Sequence, residues 1–496
     1  MMSTQPARVR FAPSPTGRLH IGGARTALYD FLFARKTDGQ FILRIEDTDR
    51  KRYDPNAEEE FFETLRWLGL EWDEGPDKGG PNGPYRQSER MEIYQEHITK
   101  LIDLGSAYYC FCSQERLQQV RELQKKRKEP PHYDGHCRSI PPDEARARVE
   151  AGEQAVVRFR VPQAGQTTGV DLLRGEITVE NSSIDDYILL KSSGMPVYHF
   201  AAILDDHLMG ITHVLRGSEW LPTFPLHVLI YEAFGWEQPV WVHLSVLLNP
   251  SGKGKLSKRH MESQKDGAKA VFTLDLRDLG YLPEAVLNWI GLMGWSYDDH
   301  QEFFPIAEFI EKFSLEKLNP SPAAVNFSKL DHFNGLHIRA LRTEELSERL
   351  IPYFERAGFP IERDLIEQIT PLVQERIRTL DEAVEMSRFF FKEEISVPAE
   401  ELIGKNMTAE ESADALDKTH TLIASLRSLE HETFEQALRD LADGLGLKAG
   451  QLFGMLRMAV TGQRVSPPLI ESMAIIGREK VLDRIQKAAD QLRALS

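Results

Sequence analysis

The chain has 496 residues, 41% hydrophobic and 27% charged, an ordinary soluble composition with room for about three to four domains at roughly 150 residues each. The formal net charge of −16 and only three cysteines exclude a disulfide scaffold and a chain that is basic throughout. No apolar run reaches the about 18 residues a membrane span needs, and Met1 to Arg10 lacks a signal-peptide core, so a cytoplasmic protein with no membrane partner is expected.

In chain order, Val9 to Phe11 read as a strand, which Pro13 and Pro15 break. Ala24, Ala27, Leu28, Phe31 and Leu32 then fall at helical spacing on one apolar face. Gly39 ends that unit, and Phe41 to Ile45 read as a buried strand. A strand–helix–strand unit of this length predicts a right-handed parallel crossover. The stretch Asn82 to Tyr198 carries helical segments, a basic loop and all three cysteines, and reads as an insertion into the first domain. The sheet is predicted to resume over Val197 to Gly210 and Thr212 to Arg216. After Asn334 strand signals fade, and segments such as Arg339 to Gly358 and Phe434 to Val460 show helical periodicity with charged faces.

Two segments carry chemistry. Ala12-Pro13-Ser14-Pro15-Thr16-Gly17-Arg18-Leu19-His20-Ile21-Gly22-Gly23 lies between the first strand and the first helix. An open α/β sheet binds ligands there, beyond the strand's carboxyl end and against a helix N-terminus. Gly22 and Gly23 let a nucleotide approach the backbone, and His20 can donate to phosphate oxygens as charge builds. Gly252-Lys253-Gly254-Lys255-Leu256-Ser257-Lys258-Arg259 follows the apolar run Leu244 to Leu248. Its glycine spacing is not that of a P-loop, but its lysines suit a loop that closes on a triphosphate. Taken singly, the first segment also reads as a plain strand–helix turn and the second as an exposed basic turn. A second basic cluster, Lys125 to Lys128, reads by itself as a solvated face. The acidic total does not exclude nucleic acid, because phosphates need only a local basic surface.

The pair decides the reading. His20-Ile21-Gly22-Gly23 resembles the HIGH motif of class I aminoacyl-tRNA synthetases, and Lys255-Leu256-Ser257-Lys258-Arg259 resembles their KMSKS motif. Pro13-Ser14-Pro15-Thr16-Gly17 followed by Arg44-Ile45-Glu46-Asp47-Thr48-Asp49-Arg50 looks like the bacterial-type glutamyl-tRNA synthetases. The glutaminyl relatives carry Glu and Asn where Ser14 and Thr16 stand. The likeness continues through Tyr198-His199-Phe200, Leu204 to Gly210, and His213 to Gly217, and more loosely through Pro322-Ala323 and Lys329-Leu330.

That resemblance implies an α/β, Rossmann-type catalytic domain over residues 1–95 and 198–242, interrupted by a connective acceptor-binding insertion at 96–197. A stem-contact region with the KMSKS-type loop at 243–334 and an all-α anticodon-binding half at 335–496 follow. It implies a ligase that joins glutamate to tRNA(Glu) through a glutamyl adenylate, using ATP and Mg²⁺, as a monomer that needs tRNA before it activates glutamate. Whether tRNA(Gln) is also charged stays open. Glutamate would sit among Arg10, Ala12, Ser14, Glu46, Tyr198 and Arg216. ATP would meet His20, Gly22, Gly23, Lys255, Ser257 and Lys258, with His20 and Lys258 catalytic. Some relatives have asparagine where this chain has Ala202. A glutaminyl enzyme, the short paralogue that glutamylates a modified tRNA base, and a non-catalytic tRNA-binding paralogue are the competing readings. Ser14, Thr16 and the helical tail oppose the first, the 162 residues after Asn334 the second, and the retained ATP-contacting residues the third.

Cys110, Cys112 and Cys137 lie within 28 residues. The family offers a zinc-binding version of this region with a tyrosine ahead of the last cysteine, as Tyr133 stands here. The expectation is a structural Zn²⁺ site on Cys110, Cys112, Tyr133 and Cys137, with His132 or His136 as alternative fourth ligands, against three reduced cysteines packed in a small core.

Overall fold

The structure is a computed structural model that describes residues 6–256, 271–298, 300–426 and 431–495. Strand β1 (Arg8–Phe11), helix α1 (Ile21–Lys36) and strand β2 (Gln40–Leu43) form the parallel crossover the sequence predicts, with Arg8 opposite Gln40 and Phe11 opposite Leu43. Helix α1 differs from expectation in one respect. It buries Arg25, Tyr29 and Asp30 as well as Ala24, Ala27, Leu28, Phe31 and Leu32. A helix covered nearly all round, and not along one stripe, belongs to an interior layer.

Four further strands of the first unit form the sheet beside the site. β8 (His213–Gly217) and β9 (Val240–Leu244) pair in parallel across helix α7 (Phe224–Phe234). β5 (Gln166–Asp171) adds in parallel at Asp171, and β6 (Gly175–Glu180) closes the edge as an antiparallel hairpin. Three hydrogen bonds between Arg8 and Thr212 stitch β1 to this sheet: Arg8 N–H to Thr212 Oγ1 at 2.9 Å, Thr212 N–H to Arg8 O at 2.9 Å, and Thr212 Oγ1–H to Arg8 O at 3.1 Å. The carboxyl ends of β1 and β8 therefore lie side by side, which is where an α/β sheet opens a crevice.

Tyr198–Leu208 is a helix, α6, and not the strand the sequence reading gives it. Phe200 to Leu204 is a short continuous apolar run, which fits a buried strand or a buried helix equally. Only Ile203 in that run is β-branched, and the run continues into Asp205 and Asp206, which α6 places inward. The insertion folds around a separate antiparallel sheet with β4 (Val156–Phe159) between β3 (Ala107–Cys110) and β7 (Ile188–Leu190). Helix α3 (Met91–Asp103) packs on it through Tyr94, Ile98 and Leu101.

The chain divides into two compact units, Met1–Asp275 with Val286–Phe327, and Leu276–Ala285 with Ser328–Ser496. The second unit is helical throughout its described residues, as its periodicity predicts. Its helices close over two apolar clusters, one around Leu350, Phe354, Ile369 and Val373, the other around Leu416, Phe434, Leu452 and Ile485. Thr408 and Glu411 form a reciprocal capping box at the start of Ala409–Ser425.

Candidate functional site

The crevice between β1 and β8 is an open cavity of about 450 Å³. The backbone that builds it is fixed by the proline-rich segment after β1. Phe11, Pro13 and Pro15 accept hydrogen bonds from the amides of Arg44, Glu46 and Asp54 at 3.0, 3.0 and 2.8 Å, so Ala12 and Ser14 face the cavity beside Glu46. Arg10, Ala12, Ser14, Glu46, Tyr198 and Arg216, all singled out in sequence, line this one space. Trp220, Lys191, Thr26 and Arg52 join them; nothing in the sequence singled these out.

A buried charge network holds the floor. Arg10 Nε donates to Asp206 Oδ1 at 2.8 Å, its Nη2 to Oδ2 at 3.3 Å, and its Nη1 to Leu215 O at 3.2 Å. Arg44 Nη1 donates to the same Asp206 Oδ1 at 2.8 Å, and its Nη2 to Glu46 Oε1 at 3.0 Å. Burial alone would raise the Asp206 carboxyl; the two guanidiniums more than offset this and hold it below the usual range. Asp206 is a functional residue that sequence reasoning missed as such. The available signal was two adjacent aspartates inside an apolar run, which on burial demand cations. Its neighbour Asp205 takes Arg90 Nε at 2.7 Å and Tyr94 Oη at 2.8 Å, tying α3 to α6.

Glu46 behaves differently. Burial pushes its carboxyl up to about 7 against the pull of Arg44 and Arg10. Arg216 is 6% exposed, and among the described residues its Nε donates to His243 Nε2 at 2.9 Å and its Nη1 to His227 Nδ1 at 2.7 Å. Its Nη2 is buried with no hydrogen-bond partner within 3.5 Å among the described residues. Tyr198 stacks on Trp220 at 4.1 Å between ring centres, and burial, with the Glu46 charge adding, pushes its phenol up to about 12. The cavity thus offers cationic groups for carboxylates and one buried carboxylate, Glu46, for an ammonium, while Asp49 at its rim is taken by Arg52.

At the N-terminus of α1 the cap is His20, whose Nδ1 accepts from Gly22 N–H at 3.1 Å. Burial, with the Lys255 charge adding, pushes its imidazole down to about 4. The ring is therefore neutral at pH 7 with its proton on Nε2, and that Nε2 has no partner among the described residues. A Cβ at Gly22 would stand 3.4 Å from His20 Nδ1, in van der Waals contact with the capping ring. Lys255 reaches Glu219 at 3.2 Å on an exposed surface. The turn before it is clamped by Asn249 Nδ2, which donates to the carbonyls of Lys253 and Lys255 at 3.1 and 3.2 Å. Ser257, Lys258 and Arg259 lie outside the described residues.

The profile of the class I tRNA synthetase (E and Q) catalytic domain matches residues 6–332, and that of an anticodon-binding domain matches residues 345–489. A glutamate–tRNA ligase of Dehalococcoides mccartyi is 46% identical over 99% of both chains, and one of Treponema denticola 42% identical over 97% of this chain and 98% of that one. The chain belongs to the glutamate–tRNA ligase family. A solved member from Elizabethkingia meningosepticum, in complex with its amino acid, is 37% identical, with a TM-score of 0.89 over 98% of this chain and 100% of that one.

In this synthetase fold the cysteines form a second cluster, at the end of β3. The sulfurs of Cys110, Cys112 and Cys137 lie within 4.8 Å of one another, with Cys112 and Cys137 3.6 Å apart. Tyr133 Oη stands 3.4 Å from Cys110 Sγ and 3.5 Å from Cys112 Sγ. A tetrahedral zinc with Zn–S near about 2.3 Å and Zn–O near about 2.0 Å sets S···S edges of about 3.8 Å and S···O edges of about 3.5 Å. The Cys112–Cys137 separation and the two Tyr133–sulfur separations match those edges, and three thiols in one cluster are donors that zinc takes. Among the described residues no histidine joins the thiols; the His132 ring bonds Pro130 O, and His136 is exposed.

Proposed function

We propose that this chain attaches glutamate to tRNA(Glu) in the cytoplasm, as a monomer, by the two-step synthetase reaction. In the first step the glutamate α-carboxylate attacks the α-phosphorus of magnesium-bound ATP and pyrophosphate leaves. In the second, a ribose hydroxyl of the terminal tRNA adenosine attacks the adenylate carbonyl and AMP leaves. Little covalent chemistry falls to the protein; positioning and charge stabilisation dominate.

Glu46 receives the substrate ammonium, and Arg10 and Arg216 receive its carboxylates, with Ala12, Ser14 and Tyr198 shaping the space. The observation that carries this reading is that one cavity holds two buried guanidiniums and a buried carboxylate, matching an amino acid with two carboxylates and one ammonium. His20 donates its free Nε2–H to the ATP phosphates where they pass Gly22 and Gly23, with Lys255, Ser257 and Lys258 closing from the KMSKS-type loop. The His20 proton position supports this, since a neutral donor needs no proton transfer as charge builds. The insertion at 96–197 would hold the acceptor end, the region at 243–334 the stem, and the helical half at 335–496 the anticodon. Zn²⁺ on Cys110, Cys112, Tyr133 and Cys137 would fix the shape of the insertion and take no part in the chemistry.

Pyrophosphate exchange tests the reading. Exchange should require glutamate and tRNA(Glu) together, and glutamine should not replace glutamate. Aminoacylation of purified tRNA(Glu) and tRNA(Gln) side by side then decides whether one or both are charged. Exchange with glutamine alone, or none with glutamate and tRNA(Glu), would overturn it.

A further inference from the structure

Four arginines approach the amino-acid cavity, and they are not electrically alike; Arg52 pairs with Asp49 at 2.7 Å. Arg10 is already neutralised by a bidentate pair with Asp206, and Arg44 by Asp206 and Glu46. Arg216 forms no ion pair among the described residues. Nε and Nη1 both donate to neutral rings, and Nη2 is buried with no hydrogen-bond partner among the described residues, on a residue that lines the cavity.

The rings are held in that state by their own partners. His243 Nε2 accepts from Arg216, so its proton sits on Nδ1 and is donated to Asp171 Oδ2 at 2.8 Å. His227 Nδ1 accepts from Arg216, so its proton sits on Nε2 and is donated to His199 Nδ1 at 2.8 Å. Burial and the adjacent guanidinium lower all three imidazoles, His199 to about 4. Their backbone anchors differ: His199 is on α6, His227 on α7 and His243 on β9, with Asp171 on β5. Four elements thus converge to aim one guanidinium without placing a carboxylate on it.

Building on the glutamate reading above, we infer that His227 and His243 are positioning residues that keep Arg216 an uncompensated cation, and that this unspent charge makes the cavity prefer glutamate over glutamine. A buried cation whose only anionic partner is the substrate binds a carboxylate far better than an amide, because the amide leaves the charge unpaired. Arg10, whose charge Asp206 already answers, orients the substrate and contributes less to that choice.

The test separates holding Arg216 from leaving it charged. His227→Asn keeps a neutral acceptor near the position of Nδ1, whereas His227→Asp puts a carboxylate there. The asparagine variant should bind glutamate within about threefold of wild type. The aspartate variant should weaken glutamate by about 100-fold, lose most of the preference over glutamine, and leave the KM for ATP unchanged. His243→Gln against His243→Glu gives the same comparison from the other ring. Equal glutamate binding in the Asn and Asp variants would overturn the inference while leaving glutamate as the substrate; failure of wild type to take glutamate would instead overturn the underlying reading. If the carboxylate variants do not fold, ¹⁵N NMR of the wild-type histidines decides. Protons on His243 Nδ1 and His227 Nε2 at neutral pH support the inference, and a charged ring at either position overturns it.

Discussion

Glu46 should make glutamate binding depend on pH. Burial pushes its carboxyl up to about 7, while Arg44 and Arg10 pull the other way. Only the carboxylate pairs with the substrate ammonium, and free glutamate itself changes little in charge between about pH 6 and pH 8. With a pKa near 7, Glu46 is about 90% ionised at about pH 8 and about 10% ionised at about pH 6. Glutamate affinity should therefore fall about tenfold between those values, about 1.4 kcal/mol. The same shift has a stability consequence of defined sign. An unfolded glutamate releases its proton near about 4.3 and the folded Glu46 only near 7, so the folded state binds more protons in between. The contribution of this group to stability is full below the unfolded pKa and is lost as pH rises toward 7. Calorimetric titration of glutamate into the protein at several pH values measures the first effect, and thermal unfolding the second. Glu46→Gln should bind glutamate weakly and remove both slopes. A glutamate affinity that is flat across this range in wild type, or a slope that survives in Glu46→Gln, would refute the reasoning.

Arg10→Gln should hurt stability as well as glutamate binding, because Asp206 would keep only Arg44; breaking one such buried pair costs about 3–5 kcal/mol, readable by denaturant unfolding. His20→Ala should slow adenylate formation about 10²–10³-fold while glutamate binding stays at the wild-type value, as pre-steady-state pyrophosphate release would report. Protein purified without chelator should carry one zinc per chain, and Cys110→Ser should lose it and lower the melting temperature with little change in kcat; less than about a tenth of an equivalent in wild type would end the zinc assignment. Binding of tRNA should fall steeply with salt despite the net charge of −16; a binding constant flat from low to moderate salt would contradict the local basic surfaces.

Much of this protein was legible before any fold was seen. The crossover of Val9 to Ile45, the helical half after Asn334 and the cysteine cluster follow from local rules: period, turn residues, and a few scarce residue types set close together. The motif residues of the cavity were nameable for the same reason, since Arg10 to Ser14 and Arg44 to Glu46 are short contiguous runs. What the sequence left open was pairing across distance. The run Phe200 to Leu204 carries no period that separates strand from helix, and packing alone made it α6. That helix brings Asp206 onto Arg10, 196 residues earlier, and so changes Arg10 from a free carboxylate reader into a neutralised one. Trp220 lies in the turn directly after β8, whereas His227 and His243 reach Arg216 only when α7 and β9 fold against β8, and no local spacing announces any of the three. Residue types decide which charges can exist; only tertiary structure decides which are already paired, because burial and partner distance set both the protonation of Glu46 and the unmet charge of Arg216.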